Sequence, residues 1–162
     1  MTLLEVIRAI EDAAARQPSV AMIVENDIFR LNSYADARYG VFAWVQGRHR
    51  VDALTPDWVR FSFTLYYVDR LRNDIANQVE VQSVGVETLR NVLAILRDAG
   101  IESETYEFQP FNQRFADECA GVFCSVTLLV EAGSVCAETE DGGFRGPDGW
   151  EQAAADVIIR KF

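Results

Sequence analysis

The longest patterned stretch of the chain is Trp58–Asp69, in which apolar and polar residues alternate. Positions 59, 61, 63, 65 and 67 are all aliphatic or aromatic, whereas arginine, serine and threonine occur between them. A period of two is typical of a strand with one buried face and one mixed face. Because the stretch is rich in aromatic and β-branched residues and contains neither Gly nor Pro, we expect it to be the central strand of the main sheet.

Other segments predict further strands of the same sheet. Ala120–Glu131 is mostly apolar on both faces, which predicts a strand inside the sheet or one covered on both sides. Tyr39–Gln46 alternates over a shorter length, and Val20–Val24 and Ile28–Asn32 predict short strands. Glu102–Phe108 alternates charged and less polar residues, so we expect an edge strand that its charges protect against unwanted pairing.

Turns and connections are predicted between these strands. Glu25–Asp27 has the composition of a turn. Gln46–Arg48 predicts a tight connection, and Val51–Asp57 and Gln109–Glu118 predict loops. Asp69–Gln78 is charged and rich in amides, which favours a long connection or a short helical turn.

Two segments have the periodicity of amphipathic helices. Thr2 and Glu5 have the spacing of a capping box, and apolar residues then recur at helical intervals until Pro18. The apolar stripe of the second helix consists of Val86, Leu89, Val92, Leu93 and Leu96. We expect Ser83 to be the N-cap of this helix and Gly100 to lie just beyond its end.

Together these elements predict an α+β fold with a mostly antiparallel β-sheet and two main helices packed on one face. A chain of 162 residues is long enough for one domain with a core of its own. We assign residues 1–137 to this single domain and 138–162 to an acidic, Gly-rich loop and C-terminal arm of the same domain. Within the arm, Ala153–Ala155 favour a helix and Val157–Ile159 favour a strand, and both alternatives stay open.

The net charge of the chain excludes some classes of binding partner. It has 25 acidic and 15 basic residues, which gives a formal net charge of −10. This charge opposes binding to nucleic-acid backbones and to anionic membranes, so we expect no specific nucleic-acid binding and no membrane partner. No apolar stretch approaches the roughly 20 residues of a membrane span. The Met1 end has no signal-peptide pattern, so we expect no secretion through one.

No pattern in the sequence indicates catalysis. His49 is the only histidine, and its place between two arginines favours an exposed side chain on a hairpin tip over a catalytic one. Cys119, Cys124 and Cys136 lack the spacing of a zinc site or a disulfide set, which indicates thiols of a reduced compartment. The glycines of residues 142–149 precede no GK[ST] sequence, so we expect no phosphate loop. We therefore predict no catalytic residue, no metal site and no cofactor.

Three segments occur in an order that resembles a known family. A long strand ends in Tyr67–Leu71, a connection with two asparagines leads to the helix Val86–Leu96, and the motif PFNQRFADECAG beginning at Pro110 enters a strand. This layout resembles the tail terminator, or tail-completion, proteins of tailed phages and prophages and the related head–tail joining proteins. The resemblance covers residues 2–131, and the acidic residues from 138 onward have no counterpart in it.

The resemblance implies a fold, an assembly and a set of partners. The fold has an N-terminal helix, a mostly antiparallel sheet and a second helix packed on one face. Copies close into a ring, commonly a hexamer, which caps the tail tube and meets the neck of the head without catalysis. The implied partners are the protein itself and the tail-tube and neck proteins, and the implied location is the cytoplasm during assembly and then the virion. An acidic lumen would let DNA pass without sticking.

Contacts between ring subunits need exposed strand edges, apolar patches and flexible arms. The interface candidates are therefore the strand at Glu102–Phe108, Phe111 and Phe115 of the predicted loop, and Trp150 and Phe162 of the C-terminal arm. We expect Arg114 and Asp117 to hold the loop by local hydrogen bonds or an ion pair. The alternative, two surface charges worth under about 1 kcal/mol each, stays open.

Two further hypotheses about function stay open. One is a small-ligand-binding α+β domain, monomeric or dimeric, with a pocket between the sheet and the second helix. The other is an enzyme whose carboxylate or tyrosine site has no recognisable sequence context, since 25 acidic residues offer many carboxylate pairs.

Overall fold

The computed structural model describes residues 1–28, 38–52, 55–72, 77–114, 118–131 and 158–160. These residues form an α+β fold, as predicted. Helix α1 covers Leu3–Ala15 and helix α2 covers Gln78–Asp98. The strands are β1 (Met22–Glu25), β2 (Val41–Asp52), β3 (Thr55–Arg70), β4 (Glu102–Ser103), β5 (Phe108–Arg114), β6 (Glu118–Glu131) and β7 (Ile158–Arg160).

All of these strands belong to one sheet, in the order β4-β6-β3-β2-β1-β7, and β5 also pairs with β6. β1 pairs in parallel with β2 and with β7. The other pairs are antiparallel, so the sheet is mostly antiparallel, as predicted. β3 lies between β2 and β6 and pairs with both along most of its length. The prediction of a central strand at Trp58–Asp69 is therefore confirmed.

The alternation along β3 separates the two faces of the sheet. Phe61, Phe63, Leu65 and Tyr67 are buried in the main core, together with the even-numbered residues of β6 from Val122 to Val130. Both helices bury their apolar stripes in the same core, so they pack on one face, as predicted. The opposite face carries Arg60, Ser62, Thr64 and Tyr66 of β3, all half-buried, and is called the open face here. A smaller buried cluster around Val41 and Val68 lies at one end of the open face.

The first helix begins as its sequence predicts. The Thr2 hydroxyl accepts a hydrogen bond from the Glu5 backbone N–H at 3.3 Å, and the Glu5 carboxylate accepts one from the Thr2 backbone N–H at 2.6 Å. These bonds form the predicted capping box. The bond from the Thr2 backbone holds the pKa of Glu5 below its usual value. α1 ends at Ala15, before Pro18.

The second helix begins earlier than predicted, so the assignment of Ser83 as its N-cap is wrong. α2 starts at Gln78, directly after Asn77. The Asn77 side chain accepts a hydrogen bond from the Arg72 backbone N–H at 2.8 Å and donates one to the Arg70 carbonyl at 3.4 Å. These bonds fix the connection from β3, and the buried Val81 then extends the apolar stripe toward the start of the helix. The predicted end at Gly100 is confirmed, with a positive φ of 81°.

The predicted tight connection at Gln46–Arg48 is wrong, and so is the predicted loop at Val51–Asp57. β2 and β3 continue through these ranges and leave only positions 53–54 between them. The register of the pair shifts just before His49, where β2 holds one residue more than β3. An extra residue of this kind forms a β-bulge, a place where glycine is common. Gly47 therefore marks an irregularity within the strand rather than a turn.

The loop predicted at Gln109–Glu118 is wrong for residues 109–114, because Phe108–Arg114 forms strand β5, and for Glu118, which begins β6; residues 115–117 lie outside the described residues. This strand pairs with β6 from the Phe108–Cys124 pair to the Arg114–Glu118 pair. Pro110 obscured the strand in the sequence, but proline is tolerated on an edge strand, where part of the backbone faces away from any neighbour. The edge strand predicted at Glu102–Phe108 is confirmed only at its start, because β4 ends at Ser103.

Several predictions fall outside the described residues. They concern residues 29–32 of a predicted short strand, the acidic loop from residue 138 and the helical alternative for Ala153–Ala155. At the end of the arm the structure describes β7, in which Ile158–Arg160 pair in parallel with Met22–Val24 of β1. The strand alternative, predicted for Val157–Ile159, is therefore confirmed at Ile158 and Ile159.

Two ionisable side chains of the main core are buried in their neutral forms. Burial raises the pKa of the Cys124 thiol to about 12, and burial beside the charge of Asp69 raises the pKa of Tyr67. The folded chain therefore ionises these groups at higher pH than the unfolded chain does. Their contribution to stability is complete below the unfolded pKa values and is lost as the pH rises through the folded ones.

We therefore expect the free energy of unfolding to fall as the pH rises from about 9 to about 12. For the thiol alone the loss reaches up to about 1.4 kcal/mol per pH unit. Urea denaturation at about pH 8 and about pH 11 measures this loss. The Cys124→Ala variant lacks the thiol and should lose less stability over the same interval; an equal loss in both proteins would contradict the assigned cause.

Candidate interaction surface

A shallow apolar groove lies between the first turns of α2 and the edge strand β5. It is lined by Val79, Gln82, Ser83, Val86, Phe108, Pro110 and Val122 and has a volume of about 230 Å³. Val79 is 77% exposed, more than any other large apolar side chain among the described residues. An apolar side chain held in solvent beside an apolar groove is typical of a surface that binds another molecule.

The strand beside this groove forms an outer edge of the sheet. β5 pairs with β6 on one side, and within the described ranges no strand pairs with its other side. Such an edge presents backbone N–H and C=O groups that an added strand can pair with. Pro110 contributes no N–H to this row, which limits where an added strand can bind.

Three aromatic rings cover the open face where β3, β5 and β6 meet. The ring centroid of Phe111 lies 6.3 Å from that of Tyr66 and 6.0 Å from that of Phe123. Gly121 lies directly opposite Phe111 on the neighbouring strand. A Cβ atom at Gly121 would lie only 2.8 Å from the Phe111 ring, so the glycine lets the ring pack directly on the backbone. Burial in this cluster raises the pKa of Tyr66.

The structure describes only some of the predicted interface residues. Phe111 is half-buried in this aromatic cluster on β5, not on the predicted loop. Arg114 is the last residue of β5, opposite Glu118, and only its backbone is described. The remaining candidates, Phe115, Asp117, Trp150 and Phe162, lie outside the described residues. The expected interaction between Arg114 and Asp117 therefore stays a prediction.

Sequence reasoning missed the groove because it placed the start of α2 too late. Val79 then lay between the predicted connection, which ended at Gln78, and the predicted N-cap Ser83, and Phe108 and Pro110 belonged to different predicted elements. The signal that could have found the groove is the run of valines at positions 79, 81, 84 and 86, which continues the helical stripe toward the start of α2.

Reactive side chains do not converge in the part of the chain that the structure describes. Within it, no group of three or more His, Cys, Asp or Glu residues could hold a metal ion. His49 is exposed within β2 rather than on a hairpin tip, and its ring packs edge-on against Phe61 with centroids 5.2 Å apart. No helix among the described residues is long and apolar enough to cross a membrane.

A larger cleft, with a volume of about 410 Å³, lies between α1 and α2 at the surface. It is lined by Ala9, Asp12, Ala13, Arg16, Ile95, Leu96, Asp98 and Ala99. Ala13 and Leu96 are buried at its base, whereas the charged residues Asp12, Arg16 and Asp98 are exposed. The charged groups of the cleft are therefore in contact with solvent.

The sequence matches no protein-family model, and no curated protein is significantly similar to it. A functional assignment for this chain therefore rests on its own residues and surfaces.

Proposed function

We propose that this protein is a structural subunit of a phage tail, a tail terminator or head–tail joining protein that forms a ring and has no catalytic role. The observation that supports this proposal most strongly is the unpaired edge of β5 beside the groove with the exposed Val79. A strand edge supplies backbone hydrogen bonds to a protein partner, and an adjoining groove accepts its apolar side chains. The net charge of −10 suits a ring through which DNA passes without sticking.

The layout of the fold supports the same proposal. An N-terminal helix, a mostly antiparallel sheet and a second helix on one face are what the resemblance to tail terminator proteins implies. The motif from Pro110 to Gly121 that carries this resemblance includes most of β5 and the glycine under Phe111. The proposed partners are copies of the chain and the tail-tube and neck proteins. The proposed location is the cytoplasm during assembly and then the virion.

We expect Val79→Glu to weaken binding to the tail tube by at least about tenfold without destabilising the subunit. The side chain lies in the first turn of α2, where the helix dipole favours a carboxylate, so the fold tolerates the change. In the groove, the same carboxylate opposes burial of an apolar side chain from a partner. Co-sedimentation with tubes assembled from the tail-tube protein encoded in the same genome measures the effect.

Asn91→Glu is the matched control for this experiment. It adds the same charge to an exposed position of α2 that does not line the groove, so its binding should equal that of the unmodified protein. Equal binding by Val79→Glu would contradict the role of the groove. Failure of the unmodified protein to bind tubes or to form rings would contradict the proposed function itself.

The second candidate function is small-ligand binding, which is supported by the cleft between α1 and α2. Its volume of about 410 Å³ falls in the range of small-molecule sites. This cleft lies between the two helices. It is not the pocket that the sequence predicts between the sheet and α2, because only the shallow groove lies there. Thermal unfolding against a panel of small metabolites tests this function. A stabilising compound whose effect is lost in Ala9→Phe, which fills the cleft, would favour ligand binding over ring formation.

A further inference from the structure

Strand β1 needs another strand on its outer edge. Ile23 is fully buried in the main core, and Met22 and Val24 are buried in the smaller cluster on the open face. β1 is therefore apolar on both faces of the sheet, and among the described residues only Ile158–Arg160 of β7 pair with its outer edge. Without β7 this edge would present unpaired backbone groups beside apolar side chains, which is a template for a strand from another chain.

The connection that leads to β7 is longer than one subunit requires. Residues 132–157 join Glu131, at the end of β6, to Ile158, at the start of β7. Ile158 lies in the same cross-strand row as Gly121, so the two ends are four strand spacings apart across the sheet and ten residues apart along β6. This distance is about 38 Å, whereas the 26 residues of the connection reach roughly 86 Å when fully extended. The connection is therefore long enough to place β7 on β1 of a neighbouring subunit.

The strand directions make this connection unusual within a single chain. β6 and β7 run parallel to each other, and so do β3 and β4, which α2 connects. About 98% of connections between parallel strands of one sheet are right-handed. The two connections cross the sheet in opposite directions and join strands of opposite direction, so the same hand places both of them on the same face. That face is already covered by α1 and α2.

The connection from β1 to β2 agrees with this rule. It joins strands that point the same way as β6 and β7 but crosses the sheet in the reverse direction, so a right-handed path lies on the open face. Ile28, which follows β1, is buried there with Val41 and Val68. Within one chain, a right-handed connection from β6 to β7 would therefore have to pass outside both helices, and the alternative is the rare left-handed form. A strand that another subunit donates avoids both restrictions, because the rule applies only within one chain.

We propose that copies of this chain exchange their last strand, so that β7 of one subunit pairs with β1 of the next. The inference rests on the proposed function, because it identifies the contact that joins ring subunits. An exchanged β7 forms the same pairs that it forms within one chain, so exchange loses no contacts. Each subunit donates β7 and accepts another at β1, and the use of two different surfaces is what ring closure requires.

A disulfide between β1 and β7 tests the exchange. Val24 lies opposite Arg160, and Cα atoms on neighbouring strands are about 4.8 Å apart, which is within the range of a disulfide. One preparation carries Val24→Cys and a second carries Arg160→Cys, both in a chain with Cys136→Ser. The two are mixed as monomers, concentrated to the range in which rings assemble, and oxidised. Exchange should give a covalent dimer of one chain of each kind, in up to about half of the chains for random mixing. Pairing within one chain gives no such dimer, because neither chain holds both cysteines.

Asn91→Cys is the matched control for Arg160→Cys. It places a thiol at an exposed position of α2, far from β1, so its mixture with Val24→Cys should give only background amounts of covalent dimer. Urea denaturation of Val24→Cys checks that the subunit stays folded, as expected when one small apolar side chain replaces another.

A substitution in β7 provides a second test that leaves β1 unchanged. Ile159→Pro removes a backbone N–H from β7 and disfavours its pairing with β1, so it should raise the concentration at which rings assemble by at least about tenfold. Ile159→Val keeps a β-branched residue in the strand and should assemble as the unmodified protein does. Sedimentation velocity over a concentration series measures the midpoint of assembly.

The possible outcomes distinguish the exchange from the function. Rings that yield no covalent dimer in the mixed preparation would overturn the exchange and leave the ring function standing. Normal assembly of Ile159→Pro would overturn the exchange as well. Covalent dimers from a chain that never forms closed rings would support the exchange and overturn the proposed function. The absence of both dimers and rings would overturn both.

Discussion

Replacement of Gly121 by valine is expected to lower the free energy of unfolding by about 4 kcal/mol. A Cβ atom at this position would collide with the Tyr67 carbonyl oxygen of β3 and would lie 2.8 Å from the ring of Phe111 on β5. The backbone atoms of β3 cannot give way without breaking their pairing with β6. The variant must therefore separate two central strands or displace the aromatic ring. Urea denaturation followed by circular dichroism measures the loss.

Ser125→Val is the matched control for this variant. It introduces the same side chain on the same strand and the same face, at an exposed position where a β-branched residue suits a strand. Its effect should stay within about 0.5 kcal/mol. Equal effects of the two substitutions would contradict the close packing of Phe111 on Gly121.

The second large effect is expected at Leu65, near the centre of β3. Leu65 has no exposed surface and lies in the main core beneath the helices. Leu65→Ala should lower the free energy of unfolding by about 3 kcal/mol, because it removes buried methyl groups and leaves a cavity. The same denaturation experiment measures this loss.

The neighbouring Thr64 provides the comparison, because it projects from the open face and is only half-buried. Its hydroxyl lies 3.4 Å from that of Ser125, so Thr64→Ala removes one weak hydrogen bond and should cost no more than about 1 kcal/mol. Comparable losses in Leu65→Ala and Thr64→Ala would contradict the assignment of the two faces.

The elements that the sequence predicts well have local signals. The alternation in β3 and β6 separates a buried from a mixed face within each strand, so no knowledge of the neighbours is needed. The start of α1 depends on a capping box whose two residues are three positions apart. The C-terminal end of α2 depends on one glycine with a positive φ.

The elements that the sequence mispredicts depend on distant contacts. β5 contains a proline and no β-branched residue, and it is a strand because it pairs with β6 and places Phe111 over Gly121. Gly47 taken alone predicts a turn. Because β2 continues to pair with β3 beyond this residue, Gly47 lies in a β-bulge instead. The early start of α2 depends on Asn77 bonding to the backbone of residues 70 and 72.

The same distinction applies to the candidate surfaces. The sequence identifies Phe111 as an apolar residue of a predicted loop. It does not predict that Phe111 lies on an edge strand. The groove at Val79 depends on the packing of α2 on β3 and β6, which places its first turns beside β5 and which no local pattern records.

The central claim is that this protein functions through contacts with copies of itself and with neighbouring tail proteins. The mass of the full chain in solution, measured by sedimentation velocity over a concentration series with and without tail tubes, tests this claim most directly. The account predicts that a single closed oligomer of fixed subunit number grows at the expense of the monomer as the concentration rises. A species of 18.2 kDa at every concentration, alone and in the presence of tubes, would contradict it.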